Sequence, residues 1–254
     1  MESINELRLA ILIDAENIPY ANIKEMFKEI AKYGTPTFKR IYADWTKPNV
    51  TGWKSVLLEN AITPIQQYSY SSGKNSSDSA MIIDAMDILY TGKVDGFCIV
   101  SSDSDFTRLA VRLREAGMMV IGIGEKKTPA PFISSCDKFI YIEILRVIEP
   151  APSLKNDPKR SKKSETIETA PIKKADQELA KLLYDSIADL ADENGWAFLG
   201  GLGHLILKKN PDFDPRNYGF TKMLPLIRSL HKFEIDERQS GKNNNVRHVY
   251  VRVK

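Results

Sequence analysis

Three short runs, AILI (10–13), FCIV (97–100) and VIGI (120–123), constrain this chain more than anything else in it. Each is apolar without interruption. A strand with one wet face alternates apolar and polar residues, whereas a strand covered on both faces does not. The runs therefore predict inner strands of a mostly parallel sheet packed between two helical layers. The segments around them agree. LRLAILI (7–13) precedes a helical stretch at 20–33, TFKRIYA (37–43) a helix near 51–60, and ITPIQQY (62–68) is a weaker strand. A helix near 78–91 carries Met81, Ala85, Ile88 and Leu89 at helical spacing; GFCIVS (96–101), a helix at 105–116 and MMVIGI (118–123) follow. Such alternation is the pattern of an α/β fold.

The pattern stops at 150–175, PAPSLKNDPKRSKKSETIETAPIKKA, with four prolines and few apolar residues. So little apolar surface cannot offset the entropy of ordering, so this reads as a flexible basic linker. Beyond it a different pattern begins. Leu179, Leu183, Ile187 and Leu190 keep one helical face, further helices are expected near 199–209 and 215–232, and KFEIDE and VRHVYVRV flank the polar tip RQSGKNNN. Three helices and a hairpin outline a small winged helix-turn-helix. The expected division is 1–149, linker 150–175, and 176–254.

Charge follows that division. Residues 1–149 hold 17 basic and 19 acidic side chains, 150–175 hold 7 and 3, and 176–254 hold 12 and 11. A basic tether between two near-neutral parts is consistent with a polyanionic partner, or simply with solubility. No stretch approaches the roughly 18 to 20 apolar residues that span a bilayer. MESINELRLAILID has no basic region before its apolar run and is not a secretory signal, so no membrane and a cytoplasmic location are expected. The two cysteines form no C-x-x-C or His/Cys cluster, and zinc is not expected.

The strand ends carry the chemistry. In an open parallel sheet, ligands bind beyond the C-terminal strand ends, where the strand order reverses. The first strand ends ILIDAEN, with Asp14 and Asn17; the fourth ends IVSSDSDF, with Ser101, Asp103, Ser104 and Asp105. Between them, KNSSDSAMIIDAMD puts Asp78 at the start of a helix and Asp84 six residues on, a rotation of about 600° that points the two in different directions. Taken singly, Asp78 and Asp103 are also good helix N-caps. Taken together, several carboxylates at one sheet edge repel and raise each other's pKa unless a cation neutralises them. Carboxylates without His or Cys select Mg²⁺ or Mn²⁺.

In that order and spacing, ILIDAEN, KNSSDSAMIIDAMDILY and VDGFCIVSSDSDF resemble the NYN domain of the LabA-like kind, in the PIN-like nuclease superfamily. The resemblance spans roughly 8–145 and implies a PIN-like sheet with a metal-dependent ribonuclease site. Its motif residues fall on Asp14, Asn17, Asp78, Asp84, Asp103, Asp105 and Phe106. Ser102 stands where a glycine usually precedes D-S-D, and Asn75-Ser76-Ser77 replaces a simpler Lys-Gly-X. In this reading Asp14, Asp78, Asp103 and Asp105 hold one or two Mg²⁺ or Mn²⁺ ions, and activated water attacks phosphorus in line. The second ion or Lys74 stabilises the leaving oxygen, Asn17, Ser101 and Ser104 orient water or phosphate, and Asp84 supports from behind. Asp103-Ser-Asp-Phe-Thr107 also matches the D-x-D-x-T of haloacid dehalogenase-like phosphatases, but those place it after the first strand. A toprim-type fold leaves no place for Asp78.

GWAFLGGLGHLILKKNPDFDPRNYGFTKMLPLIRSLHKFEID with the terminal YVRV resembles the OST-HTH (LOTUS) domain, over about 176–253. The markers are Trp196, Leu199–Gly203, Pro211–Phe213, Tyr218–Phe220 and the final hairpin. RNA binding or docking onto a protein partner is what this implies, with Lys222, Arg228, Lys242 and Arg247 placed to meet phosphates. Trp196, Phe213, Tyr218 and Phe220 are read first as core of a small domain, and only second as base-stacking surface. The expectation is thus a metal-dependent ribonuclease with an appended RNA-binding domain; the other reading is a non-catalytic RNA-binding or partner-docking adaptor on the same fold.

Overall fold

In the computed structural model, residues 6–68, 76–145, 173, 177–240 and 246–254 are described. Lys74 and Lys242 lie outside them, as does the linker apart from Lys173. The first domain is a six-stranded, all-parallel sheet: β1 (Arg8–Asp14), β2 (Thr35–Ala43), β3 (Thr63–Gln66), β4 (Gly96–Val100), β5 (Met119–Gly124) and β6 (Lys138–Tyr141). The order across it is β3-β2-β1-β4-β5-β6. The chain steps outward from β1 in one direction and then, from β4, in the other. The β1/β4 boundary is therefore the switch point, where two strand ends leave a crevice.

Side chains alternate across each strand, and the two faces have separate cores. Leu9, Ile11 and Ile13 pack with α1 (Ile23–Ile30) and α2 (Lys54–Leu57) on one face. Ala10 and Leu12 pack with α3 (Ser76–Tyr90), α4 (Thr107–Glu115) and α5 (Ala130–Ser135) on the other. All five residues of β4 are buried, as the apolar run FCIV requires. Two elements, α5 and β6, are not foreseen from the sequence. KFIY is short and begins with a charged residue, and it becomes buried because β5 and the second domain cover it.

The second domain contains α6 (Gln177–Leu190), β7 (Ala197–Phe198), α7 (Leu199–Lys209), α8 (Met223–Ser229), β8 (Phe233–Ser240) and β9 (Val246–Val253), with sheet order β7-β9-β8. The helix expected over 215–232 is two pieces: a 3-10 turn at Pro215–Tyr218, then α8. Gly219, at φ +83°, ends the first piece in a left-handed conformation that glycine adopts without steric cost.

The two domains touch. The Phe139 amide on edge strand β6 donates to the Pro211 carbonyl at 2.8 Å, which occupies part of the open edge. Arg216 makes a two-pronged bond to Glu29 at the end of α1, 2.7 and 2.9 Å, and also holds Asp214. Lys138, itself buried, lies 3.9 Å from Asp214. Tyr141 donates to Asp212 at 2.8 Å, and Lys173 reaches the same carboxylate. This contact lies along β6, to one side of the switch point.

Candidate metal centre

The alternation along β1 decides where Asp14 goes. It shares a face with Ala10 and Leu12, the side covered by α3 and α4. Ser101 continues the Phe97 and Ile99 face of β4 and arrives on the same side. The two meet: the Ser101 hydroxyl donates to Asp14 Oδ2 at 2.8 Å. Asn17 Nδ2 donates to the same oxygen at 2.6 Å, and the Glu16 amide to Oδ1 at 3.1 Å. Ser101 Oγ in turn accepts the Asp103 amide at 3.1 Å, so one buried hydroxyl joins both strand ends.

Asp103 begins the 3-10 turn Ser104–Phe106 and caps it, its Oδ1 accepting from the Asp105 amide at 2.9 Å. The capping expectation therefore holds. The cap also leaves the carboxylate beside its neighbours: one oxygen each of Asp78, Asp103 and Asp105 lies within 4.8 Å of the others. Asp78 comes from the first turn of α3 and is buried, Asp103 is half-buried and Asp105 is exposed. Asp14 stands outside that 4.8 Å set, but its negative charge is felt at Asp78.

The electrostatics follow from this crowding. The Asp78 carboxyl is pushed up to about 7, first by burial and then by the charges of Asp14, Asp103, Asp105 and Glu16. Burial also raises Asp14, and its three hydrogen bonds offset that only in part. Cations on the flanking elements are committed elsewhere: Arg40 to Asp84 and Lys47 to Glu16. Among the described residues, no lysine or arginine forms an ion pair with Asp14, Asp78 or Asp103.

The donor set fits a hard divalent cation. All donors are carboxylate oxygens, without His or Cys, and one from each of the three residues lies within 4.8 Å of the others.

The supporting residues behave unevenly. Asp84 accepts from Arg40 and from the Tyr42 hydroxyl, both on the face of β2 beneath α3. It anchors α3, and with it Asp78, to the sheet from the far side. The Asn17 amide donates to Asp14, and the Ser101 hydroxyl donates to Asp14 and accepts from the Asp103 amide, so both face the cluster's own residues rather than outward. Ser104 is exposed on the turn. Ser102, in the position where the family usually has glycine, is not strained: the described non-glycine residues at positive φ are Ala61 and His231. Its hydroxyl accepts the Glu125 amide at 2.9 Å and ties the β4 end to the β5 end.

In the second domain, Arg228 and Arg247 converge on Glu237, at 2.9 and 3.6 Å, and Lys222 is exposed just before α8. Phe213 is core, with Tyr218 and Phe220 packed against it. Trp196 is not. It lies on the outer side of the small sheet between Arg238 and Arg252, whose guanidinium carbons sit 5.4 and 4.6 Å from its ring centre. Phe198 and Tyr250 join it there. Sequence reading passed over those two, although the alternation in VRHVYVRV already puts His248, Tyr250 and Arg252 on one face.

Comparison with known proteins agrees with this architecture. The family model described as the NYN domain matches residues 8–143, and that of the OST-HTH/LOTUS domain matches 170–244. No curated protein matches. Among solved structures, a Vibrio parahaemolyticus protein of unknown function is 22% identical, covering 56% of this chain and 96% of its own, with a TM-score of 0.46. An uncharacterized Nitrosomonas europaea protein is 30% identical, covering 39% and 92%, with a TM-score of 0.30.

Proposed function

The chain belongs to the NYN-domain family and carries an OST-HTH/LOTUS domain after it, and we propose that it is a Mg²⁺- or Mn²⁺-dependent ribonuclease whose second domain binds RNA. The observation that carries this reading is the convergence of Asp78, Asp103 and Asp105 within 4.8 Å at the switch point. Three carboxylates crowded together, with no lysine or arginine among the described residues paired to Asp78 or Asp103, form a poor structural device and a good cation site.

Asp78, Asp103 and Asp105 are the residues that would hold the cation, with Asp14 adding negative charge from behind. When bound, a divalent cation neutralises phosphate charge and lowers the pKa of water, which is the chemistry phosphodiester hydrolysis needs. The chain's own contribution is positional. Ser101 couples Asp14 to the Asp103 backbone, so the two strand ends keep a fixed spacing. Asp84, held by Arg40 and Tyr42, fixes the rotation of α3 and hence the direction of Asp78. The exposed side of the cluster, at Asp105, is where a phosphate approaches.

The test is a cleavage assay on single- and double-stranded RNA, with Mn²⁺ and with chelator. Asp103→Asn is expected to reduce cleavage by about a hundredfold or more, comparable to the loss in chelator. Wild-type rates in the variant, or in chelator, would overturn the metal site, and RNA binding with no cleavage in Mn²⁺ would leave the adaptor reading standing instead.

A further inference from the structure

We propose that the outer face of the small sheet, β7-β9-β8, is a stacking platform for single-stranded RNA. The register builds this face. Ala197, Val251 and Ile235 form one rung and turn inward, with Ala197 and Val251 fully buried. The rungs between must then turn outward: Phe198–Tyr250–Asp236, His248–Arg238 and Arg252–Glu234. Trp196, two residues before Phe198, shares their side.

On that face the planar groups form a continuous row. The Phe198 ring lies 5.5 Å from His248 and 5.8 Å from Tyr250, centre to centre. Arg238 sits 4.2 Å over Tyr250 and 5.4 Å from Trp196, and Arg252 closes the row 4.6 Å over Trp196. Phe198 is 44% exposed although its ring carries no polar atom. Its ring rests against Gly200, where an added Cβ would come within 2.7 Å of it, so the ring's seat requires bare backbone there.

The composition of the face selects its ligand. Across these rungs every side chain is flat: rings, guanidinium groups and carboxylates. The apolar groove that Phe198 also lines, with Leu199, Leu207, Met223 and Val249, lies off these rungs, because Val249 alternates to the other side of β9 from His248 and Tyr250. The two arginines are also neutralised in place, Arg252 by Glu234 and Arg238 by Asp236 at 2.7 Å. A nearly neutral face gives little hold on a duplex, whose bases are stacked away and whose phosphates demand cations. It suits unstacked bases, which bind flat groups and tolerate sequence change. The choice of RNA over other single strands rests on the ribonuclease reading.

The experiment uses the full chain in chelator, so that nothing is cut, with labelled RNA of about a dozen nucleotides. Anisotropy should show single strands bound more tightly than duplex, with a shallow salt dependence. Phe198→Ser and Tyr250→Ala should each weaken binding by about tenfold, Tyr250→Phe should restore it, and both losses should exceed those of Lys222→Ala and Arg228→Ala, whose side chains are placed for phosphates. Phe198→Ser is at an exposed site, so it reports even if Tyr250→Ala fails to fold. Wild-type affinity in Phe198→Ser, a preference for duplex, or a loss confined to the Lys222 and Arg228 variants would overturn the platform. The two readings fail separately. RNA bound through the face with no cleavage under Mn²⁺ would sink the nuclease alone. Cleavage with wild-type binding in Phe198→Ser would sink the platform alone.

Discussion

Two buried acidic clusters in this molecule have opposite chemistry. At the switch point Asp78 and Asp103 converge with Asp105 while Asp14 adds its charge from behind, and no lysine or arginine among the described residues pairs with Asp14, Asp78 or Asp103. At the domain joint Glu29 and Asp214 are also buried, but each is held by Arg216, with Lys32 and Lys138 nearby. The pKa shifts differ in sign accordingly. Burial and like charge push Asp78 up to about 7. Burial acts in the same direction on Glu29 and Asp214, yet the bonds from Arg216 bring both below their ordinary values. The contrast teaches that burial alone does not mark a ligand site. The useful signal is burial without a neutralising partner supplied by the chain itself.

The strongest way to break the comparison is at the joint. Arg216→Ala leaves Glu29 with Lys32 alone and Asp214 with only the more distant Lys138, and should cost about 3 kcal/mol, measured by urea unfolding. It should also let the domains separate, seen as a larger radius in solution scattering. An unchanged radius with unchanged stability would mean that the joint is not a specific contact. Next in size is the response to metal. At about a hundred times its Kd, Mn²⁺ should stabilise the wild-type chain by about 2.7 kcal/mol. Asp78→Asn should lose most of that gain, while Glu29→Gln keeps it. Equal gains in both variants would place the cation elsewhere.

The smallest effect concerns pH in chelator. The folded chain holds the Asp78 proton more tightly than the unfolded chain does. Its contribution is therefore complete below about 3.8 and is lost as pH rises through about 7. Asp78→Asn removes that loss, so its advantage over wild type should grow to about 1 kcal/mol between pH 5 and 8. The joint runs the other way. The contribution of Glu29 and Asp214 is complete above their ordinary values of 4.5 and 3.8 and is lost as pH falls. Urea midpoints across pH 2 to 8 check both signs, and a wild-type chain that gains on Asp78→Asn with rising pH would refute the first.

Much of the first domain was legible because its signals are local. An apolar run without alternation means a strand covered twice, and GFCIV is buried at every position. The winged domain was legible in outline, but its third helix was read too long, because Gly219 breaks it. The edge strand KFIY and helix α5 were not legible: their burial comes from partners far along the chain. Trp196 was read first as core and lies outside it, because two arginines on neighbouring strands cover it in place of the core.

By itself, the sequence determined that Asp14 and Asp103 end inner strands, and that Asp78 and Asp84 leave their helix in different directions. Strand and helix periodicity are properties of the local backbone, so the order of residues is enough to specify them. Only the tertiary structure decided which carboxylates meet. Asp78, Asp103 and Asp105 converge, Asp14 stands behind them on Ser101, and Asp84 turns away to Arg40 and Tyr42. Those outcomes depend on strand order, on the seating of α3 across β1 and β2, and on which cations were already taken. All three are set by contacts between residues distant in the chain.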